Sequence, residues 1–300
     1  MKAIIIGASG LVGSHLMQAC QKRGWQVLGT YHKLVQPGLI FLELTDSNRV
    51  RALIQKIQPE VVFLPAFCSN VDYCEQNPTT TYQINVEGSL NVATAALDIG
   101  AKLVFYSSDY VFNGAAGPYR ETDQPNPICI YGQQKLEVEN RISQLLTNYL
   151  ILRITVVYGW EAQGKNFINR LLKTVQNGQV IKVPQDQVGS PTLVNDIAEA
   201  SCRLLEAGAS GIFHVAGLDW IDRYHLAITA AEAFGLPTEK ILPVSTFELN
   251  QVAPRPLQGG MVCELMSKTL KWNLRGVTEG IAYLKQSQSL FRPSKLYTYE

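Results

Sequence analysis

Lys2-Ala-Ile-Ile-Ile-Gly7-Ala-Ser-Gly10-Leu-Val-Gly13 decides the fold. The apolar run Ala3–Ile6 is strand-sized, and its lack of polar alternation reads as a strand covered on both faces. Glycines at 7, 10 and 13 then turn the chain into Leu11–Cys20, where Leu11, Val12, Leu16 and Met17 recur at helical spacing. Glycine is needed where the backbone turns with positive φ and where it approaches a diphosphate. The helix start adds free N–H groups and a partial positive charge. Strand, glycine-rich turn and helix in that order make a dinucleotide cradle of Gly7, Ser9, Gly10, Leu11, Val12 and Gly13.

Outward from this unit the chain alternates strands and helices. Gln26–Gly29 reads as a strand, and Ser47–Gln58 as a helix capped by Asp46 or Ser47. The strand Val61–Leu64 comes next, followed by a long helix, Thr79–Ile99, stopped by Gly100. Strand Lys102–Ser107, helix Gln133–Leu146 and strand Leu150–Val157 complete the series, with Leu136, Val138, Ile142 and Leu145 as the buried side of the last helix. Continuous apolar strands separated by helices predict an α/β fold, a doubly wound parallel sheet of Rossmann type with ligands at the strands' carboxyl ends. After Tyr158-Gly159 the rhythm breaks into turn clusters and prolines. The expected division is therefore a nucleotide-binding unit at 1–159 and a smaller, partly interleaved unit at 160–300, with 190–216 returning to the first.

Composition narrows the function. A hydrophobic content of 46% supports a sizeable core, and a net charge of +1 gives no basic face for nucleic acid or a membrane surface. The apolar runs are too short to span a bilayer, and the first strand follows Met1 too closely for a targeting segment. Six scattered cysteines without a C-x-x-C pair suggest reduced thiols, so the expected location is the cytoplasm. His15, His32, His214 and His225 lack ligand spacing, and no metal is expected.

The chemistry lies between the two halves. The strand Leu103-Val-Phe-Tyr-Ser107-Ser108 ends in hydroxyls, and Tyr131-Gly-Gln-Gln-Lys135 opens the next helix. Reducing a ketone by hydride requires a proton for the carbonyl oxygen and a donor that polarises it. Tyrosine is a poor acid at neutrality, with a pKa of about 10, but an ammonium four residues along the same helix face would bring the phenol towards the working range. Ser108 can donate to the same oxygen. At the end of the second strand, where a carboxylate would grip a ribose diol, Thr30-Tyr31-His32-Lys33 offers no acid and two potential cations. That favours NADP(H), with NAD(H) as the alternative, and makes Tyr31, His32 and Lys33 candidate cofactor contacts.

Taken together these motifs resemble the extended short-chain dehydrogenase/reductases, and within them the dTDP-4-dehydrorhamnose reductase group. The resemblance also runs through Asn70-Val-Asp72-Tyr-Cys-Glu75-x-x-Pro78, Asn85-Val-Glu-Gly88 and Ser107-Ser-Asp-Tyr-Val-Phe-x-Gly114. It continues through Leu152-Arg-x-x-x-Val-Tyr-Gly159, Gln187-x-Gly-Ser-Pro-Thr192 with Asp196, and Ala253-x-Arg255-Pro256. It implies a catalytic set of Ser108, Tyr131 and Lys135, with Tyr131 and Lys135 also touching the cofactor. It further implies substrate contacts from Asn70, Asp72, Ser108, Asn166 and Arg255. The implied substrate is a nucleotide-linked 4-keto-6-deoxy sugar, with a homodimer left open. Leu257-Gln-Gly-Gly-Met-Val-Cys-Glu264 departs from the group, whose members usually continue Asn-Ser-x-Leu-Asp there. Two other readings stand beside the reductase. One is a sugar epimerase or dehydratase, suggested by Asp109 next to Ser108. The other is a non-catalytic NADP-binding subunit like the β-subunit of methionine adenosyltransferase.

Overall fold

A computed structural model describes residues 1–289; the end of the expected second unit, 290–300, lies outside the described residues. The first half runs β1 (Lys2–Ile5), α1 (Leu11–Lys22), β2 (Gln26–Tyr31), β3 (Ile40–Phe41), α2 (Ser47–Ile57) and β4 (Val61–Leu64). After α3 (Val71–Gln76) come α4 (Pro78–Tyr82), a single π turn over Gln83–Glu87, and α5 (Gly88–Asp98). Then follow β5 (Lys102–Ser108), a 3-10 turn at Asp109–Val111, α6 (Ile130–Leu145) and β6 (Tyr149–Ile154).

Seven strands form one parallel sheet in the order β11-β6-β5-β4-β1-β2-β3, where β11 is Gly211–His214. The strand order reverses between β1 and β4, and a crevice opens there at the carboxyl ends. The doubly wound parallel sheet is thus observed. Its strands are apolar throughout because both faces are covered. Ile5, Phe63, Val104 and Leu152 point towards α1 and α8 (Val194–Glu206), while Ile4, Ile6, Leu64, Phe105 and Ile151 point towards α2, α5 and α6.

The remaining elements are β7 (Val157–Tyr158), α7 (Phe167–Gln176), β8 (Ile181–Pro184), β9 (Val188–Gly189), β10 (Thr192–Leu193), β12 (Ile221–Asp222), α9 (Arg223–Phe234), β13 (Ile241–Val244), α10 (Glu264–Leu270) and α11 (Val277–Gln286). A third apolar cluster joins Tyr158, Leu171, Val175, Leu226, Ala230, Ile281 and Leu284.

Several expectations need correcting. The long helix begins at Pro78 and is interrupted by the π turn, which brings Asn85 inward to a fully buried position. The strand expected to reach Val157 ends at Ile154, because Val156 takes a left-handed conformation (φ +43°) and redirects the chain to pair β7 with β10. The two-residue β3 was not anticipated; it is too short to show any periodicity. Leu145, expected inside, is 38% exposed at the end of α6.

Candidate active site

The turn after β1 is built for close approach. Gly7 has φ +96°, and a Cβ there would stand 2.9 Å from Ala66 Cβ, in the loop after β4. At Gly13 a Cβ would lie 2.2 Å from the Gly7 carbonyl oxygen, so any side chain would force α1 off the turn. Gly7 N donates to Thr30 Oγ1 at 3.0 Å, which fixes the turn against β2. Gly10 caps α1 without a side chain, and the first turn carries no acid. A bare helix start between the β1 and β4 loops fits a diphosphate.

At the rim expected to choose the cofactor, the structure corrects the sequence. His32 Nε2 lies 2.8 Å from Glu43 Oε2, so the stretch does have an acid, supplied eleven residues later from beyond β3. Tyr31 packs edge-on against Phe41, with ring centres 5.8 Å apart.

Ser108 ends β5 and caps the following 3-10 turn, accepting from Tyr110 N at 3.2 Å. Its hydroxyl donates to Asp109 Oδ1 at 3.0 Å, and Thr155 Oγ1 donates to Asp109 Oδ2 at 2.5 Å. Burial pushes the Asp109 pKa up, and the Thr155 and Ser108 hydroxyls pull it partly back. Sequence reading weighed Asp109 only as a dehydratase acid; its bond to Thr155 spans 46 positions and left no local signal.

Tyr131 and Lys135 occupy the first turns of α6, four residues apart. Three contacts fix this helix start. Gly132 packs so closely on the 3-10 turn that a Cβ would lie 2.1 Å from the Tyr110 carbonyl oxygen. Ile130 N donates to Glu75 Oε2 at 3.0 Å, so α3 caps α6. Buried Gln134 accepts from Asn85 Nδ2 at 2.8 Å and donates to Thr81 Oγ1 at 3.0 Å. Glu75, Asn85 and Gln134 all stand within the motifs of the sequence, but their supporting role appears only here.

Lys135 is 4% exposed, and its Nζ donates to the Tyr106 carbonyl at 2.5 Å. The ammonium lies 3.4 Å from the centre of the Phe67 ring and 5.9 Å from that of Tyr131. Burial brings its pKa down to about 7, against the opposing pull of Glu139. Tyr131 lies edge-on to both Phe67 and Tyr110, with ring centres 5.7 and 5.6 Å away. Burial raises its pKa, and the neighbouring Ser108 hydroxyl only moderates the rise. The expected downward shift of the phenol is therefore reversed, because burial disfavours the phenolate. A phenol that keeps its proton at neutrality remains suited to donating it.

The other nominated residues are less free. Asp72 Oδ1 pairs with Arg255 Nη2 at 2.8 Å and accepts from Ala253 N at 3.0 Å. Arg255 Nη1 turns back to the Ala253 carbonyl at 3.3 Å. Asn70 is an exposed N-cap of α3, and Asn166 caps α7 while donating to the Gly159 carbonyl and to Glu161. Arg223, which sequence reading missed, opens α9 with its guanidinium carbon 5.5 Å from the Phe167 ring centre. The divergent loop is tied to both halves of the chain. Gln258 N donates to the Gly114 carbonyl at 2.8 Å, Gly259 N donates to the Val188 carbonyl at 3.0 Å, and the Gly259 carbonyl accepts from Trp220 Nε1 at 2.8 Å. His214, read as structural, is fully buried with Nδ1 3.1 Å from the Tyr119 carbonyl oxygen. Among the described residues there is no cluster of side chains that could hold a metal ion, and no helix is long and apolar enough to cross a membrane.

Comparison with known proteins places this geometry. A family described as RmlD substrate binding domain matches residues 1–289. The chain is similar to dTDP-4-dehydrorhamnose reductase from Bacillus anthracis, solved in complex with NADP. The TM-score is 0.89 with 28% identity, covering 95% of this chain and 99% of that one. It is 33% identical over 274 residues to methionine adenosyltransferase 2 subunit beta of Xenopus tropicalis, covering 89% of this chain and 82% of that protein. It is 35% identical over 256 residues to the spore coat polysaccharide biosynthesis protein SpsK of Bacillus subtilis, covering 85% and 87%. The chain belongs to the RmlD substrate-binding domain family and has the extended short-chain dehydrogenase/reductase fold.

Proposed function

We propose that this protein is an NADPH-dependent reductase of a nucleotide-linked 4-keto-6-deoxy sugar, with Ser108, Tyr131 and Lys135 as the catalytic set. The reading rests on the convergence of these three residues at the β5 and α6 ends beside the glycine turn. Gly7 and Ser9–Gly13 would hold the diphosphate, and the Tyr31–Lys33 stretch would face the adenosine ribose. With His32 engaged by Glu43, the preference for a 2′-phosphate falls to Lys33. When bound, the cofactor supplies the hydride.

The chain's own residues manage the proton and the sugar. Tyr131, held protonated by burial, donates to the oxygen that becomes the alcohol. Ser108 polarises that oxygen after its hydroxyl turns from Asp109, which otherwise parks it. Lys135 answers the loss of the phenolic proton with positive charge. Arg255 would meet the diphosphate of the sugar nucleotide, and Asn70, Asp72 and Asn166 line the same approach. The division into a nucleotide unit at 1–159 and a substrate unit beyond, with 190–216 returning to the first, belongs to this proposal.

Anaerobic mixing of the protein with NADPH and dTDP-4-keto-6-deoxy-L-mannose should consume absorbance at 340 nm in step with alcohol formation. A second reading, a regulatory cofactor-binding subunit, is favoured by the methionine adenosyltransferase relative and by Lys135 facing Phe67. It takes precedence if NADPH binds, no 4-keto nucleotide sugar is turned over, and the protein co-purifies with a methionine adenosyltransferase catalytic chain.

A further inference from the structure

Two guanidinium groups of the second half have no counter-charge. Among the described residues every arginine but Arg170 and Arg223 is ion-paired with a carboxylate. Arg223 is half-buried and Arg170 exposed. The acids of the neighbouring segments are already engaged. Asp222 caps α9 and lies 2.5 Å from His225 Nδ1, Asp186 accepts from Thr246 Oγ1 at 2.6 Å, and Glu161 accepts from Asn166 N at 2.6 Å.

Local structure makes the position of Arg223 unfavourable without an anion. It is the first residue of α9, where the helix start already carries partial positive charge. Its guanidinium carbon lies 5.5 Å from the Phe167 ring centre, and Arg170 stands three residues further along α7, on the same face as Phe167. A partly buried cation at the wrong end of a helix, on the side of a second cation, costs stability. An anion between α7 and α9 would reverse each of these effects.

The backbone sets the pair beside the reacting end. Arg223 N donates to the Gln187 carbonyl at 3.1 Å, and Val188 N donates to the Leu257 carbonyl at 2.7 Å. One short span thus carries Arg223 on one side and the Arg255–Leu257 stretch on the other. The Val188 carbonyl in turn accepts from Gly259 N, and a Cβ at Gly259 would stand 3.3 Å from Asp109 Oδ2. In keeping with that approach, burial raises the pKa of both Asp109 and Tyr110, and Arg223 is among the groups that moderate the rise.

We propose that Arg223 and Arg170 hold the diphosphate of a nucleoside diphosphate ester, Arg223 taking the inner phosphate, next to the sugar, and Arg170 the outer one, next to the nucleoside. The charges balance. A diphosphate ester carries two negative charges, the two unpaired guanidinium groups carry two positive ones, and Arg255 is already paired with Asp72. Each planar guanidinium can donate two parallel hydrogen bonds to the non-bridging oxygens of one phosphate. The order follows from depth, since Arg223 lies half-buried on the Asp109 side and Arg170 at the exposed rim. Calling the inner phosphate the sugar's rests on the reductase reading, which puts the keto carbon at Tyr131. The matching of one phosphate to each arginine does not depend on it.

Calorimetry on the full chain with dTDP, UDP and GDP, and then with the monophosphate of whichever binds most tightly, tests the assignment. Arg223→Met should weaken the diphosphate by roughly 10- to 100-fold, the loss of a charged hydrogen-bond pair, and the monophosphate by less than about threefold. Arg170→Met should weaken both alike, because the lone phosphate of the monophosphate sits at the rim. Arg223→Lys should fall between, keeping the charge and losing the fork. In the free protein, Arg223→Met should leave Tm unchanged or raised, since it removes an unpaired cation from a helix start, whereas loss of a merely structural arginine would lower it. Full diphosphate affinity in Arg223→Met, or equal losses for monophosphate and diphosphate with a lower Tm, would refute the assignment. So would failure of all three diphosphates to bind the unaltered protein. If the arginines behave as described and no 4-keto nucleotide sugar consumes NADPH, the reductase reading fails and the phosphate site stands.

Discussion

Replacing Gly132 with alanine tests the placement of the proton donor without touching a reacting group. On an exposed helix face the change would stabilise by about 0.5–1 kcal/mol, since alanine is the better helix former. Here the new Cβ would lie 2.1 Å from the Tyr110 carbonyl oxygen, roughly 1 Å inside ordinary contact. The neighbour is backbone in a buried 3-10 turn, so the helix start must move instead of a flexible side chain. Overpacking of this kind costs about 1–3 kcal/mol, which outweighs the propensity gain. The net expectation is a loss of about 1–2 kcal/mol and a fall of several degrees in Tm. A displacement near 1 Å at Tyr131 should lower kcat by on the order of 10²-fold. Urea unfolding and NADPH consumption at 340 nm read the two effects separately. A stabilised Gly132→Ala protein with unchanged kcat would refute the claim that Tyr110 and Gly132 lock α6.

Tyr131→Phe should abolish reduction while leaving NADPH affinity unchanged by fluorescence titration, and Ser108→Ala should cost roughly 10²-fold in kcat. Lys33→Ala should narrow the gap between NADPH and NADH affinities, whereas His32→Ala should do little because Glu43 already holds that imidazole; calorimetry with both cofactors compares them. Arg255→Ala should raise the sugar-nucleotide KM by about 10- to 100-fold, the value of a charged hydrogen-bond pair, and leave NADPH affinity intact. Burial holds Lys135 at about 7 in the folded protein, below its unfolded value. Its contribution should therefore weaken the fold below pH 7, with stability recovered as pH rises from about 7 towards 10.4. Lys135→Met should flatten that part of the urea-midpoint profile.

The elements legible in the sequence were those with short-range signatures. Ala3–Gly13 displays its strand, turn and helix start within eleven residues, and Tyr131 and Lys135 announce a shared helix face by spacing alone. What escaped depended on partners distant in the chain. The acid that engages His32 arrives after a two-residue strand, and Thr155 meets Asp109 only because β6 lies beside β5. The direction of the Tyr131 shift was misjudged because spacing places Lys135 on the right face but says nothing of the burial that raises the phenol. The Leu257–Glu264 stretch read as a departure from a pattern. Its hydrogen bonds to Gly114, Val188 and Trp220 tie it to both halves of the chain, and a Cβ at Gly259 would lie 3.3 Å from Asp109 Oδ2.

Helix α3 spans six residues, far too few to persist on its own in water. It is held at both ends, by Asp72 to Arg255 and by Glu75 to the first amide of α6. A segment so dependent on its attachments behaves as a lever between them. Whatever grips Arg255 hard enough to loosen Asp72 alters the support under Tyr131, and anything that steadies α6 tightens the hold on Arg255. Thermodynamic reciprocity makes the two effects equal in free energy. On the proposed function, sugar-nucleotide affinity and the ordering of Tyr131 would therefore be one linked quantity, measurable from either end.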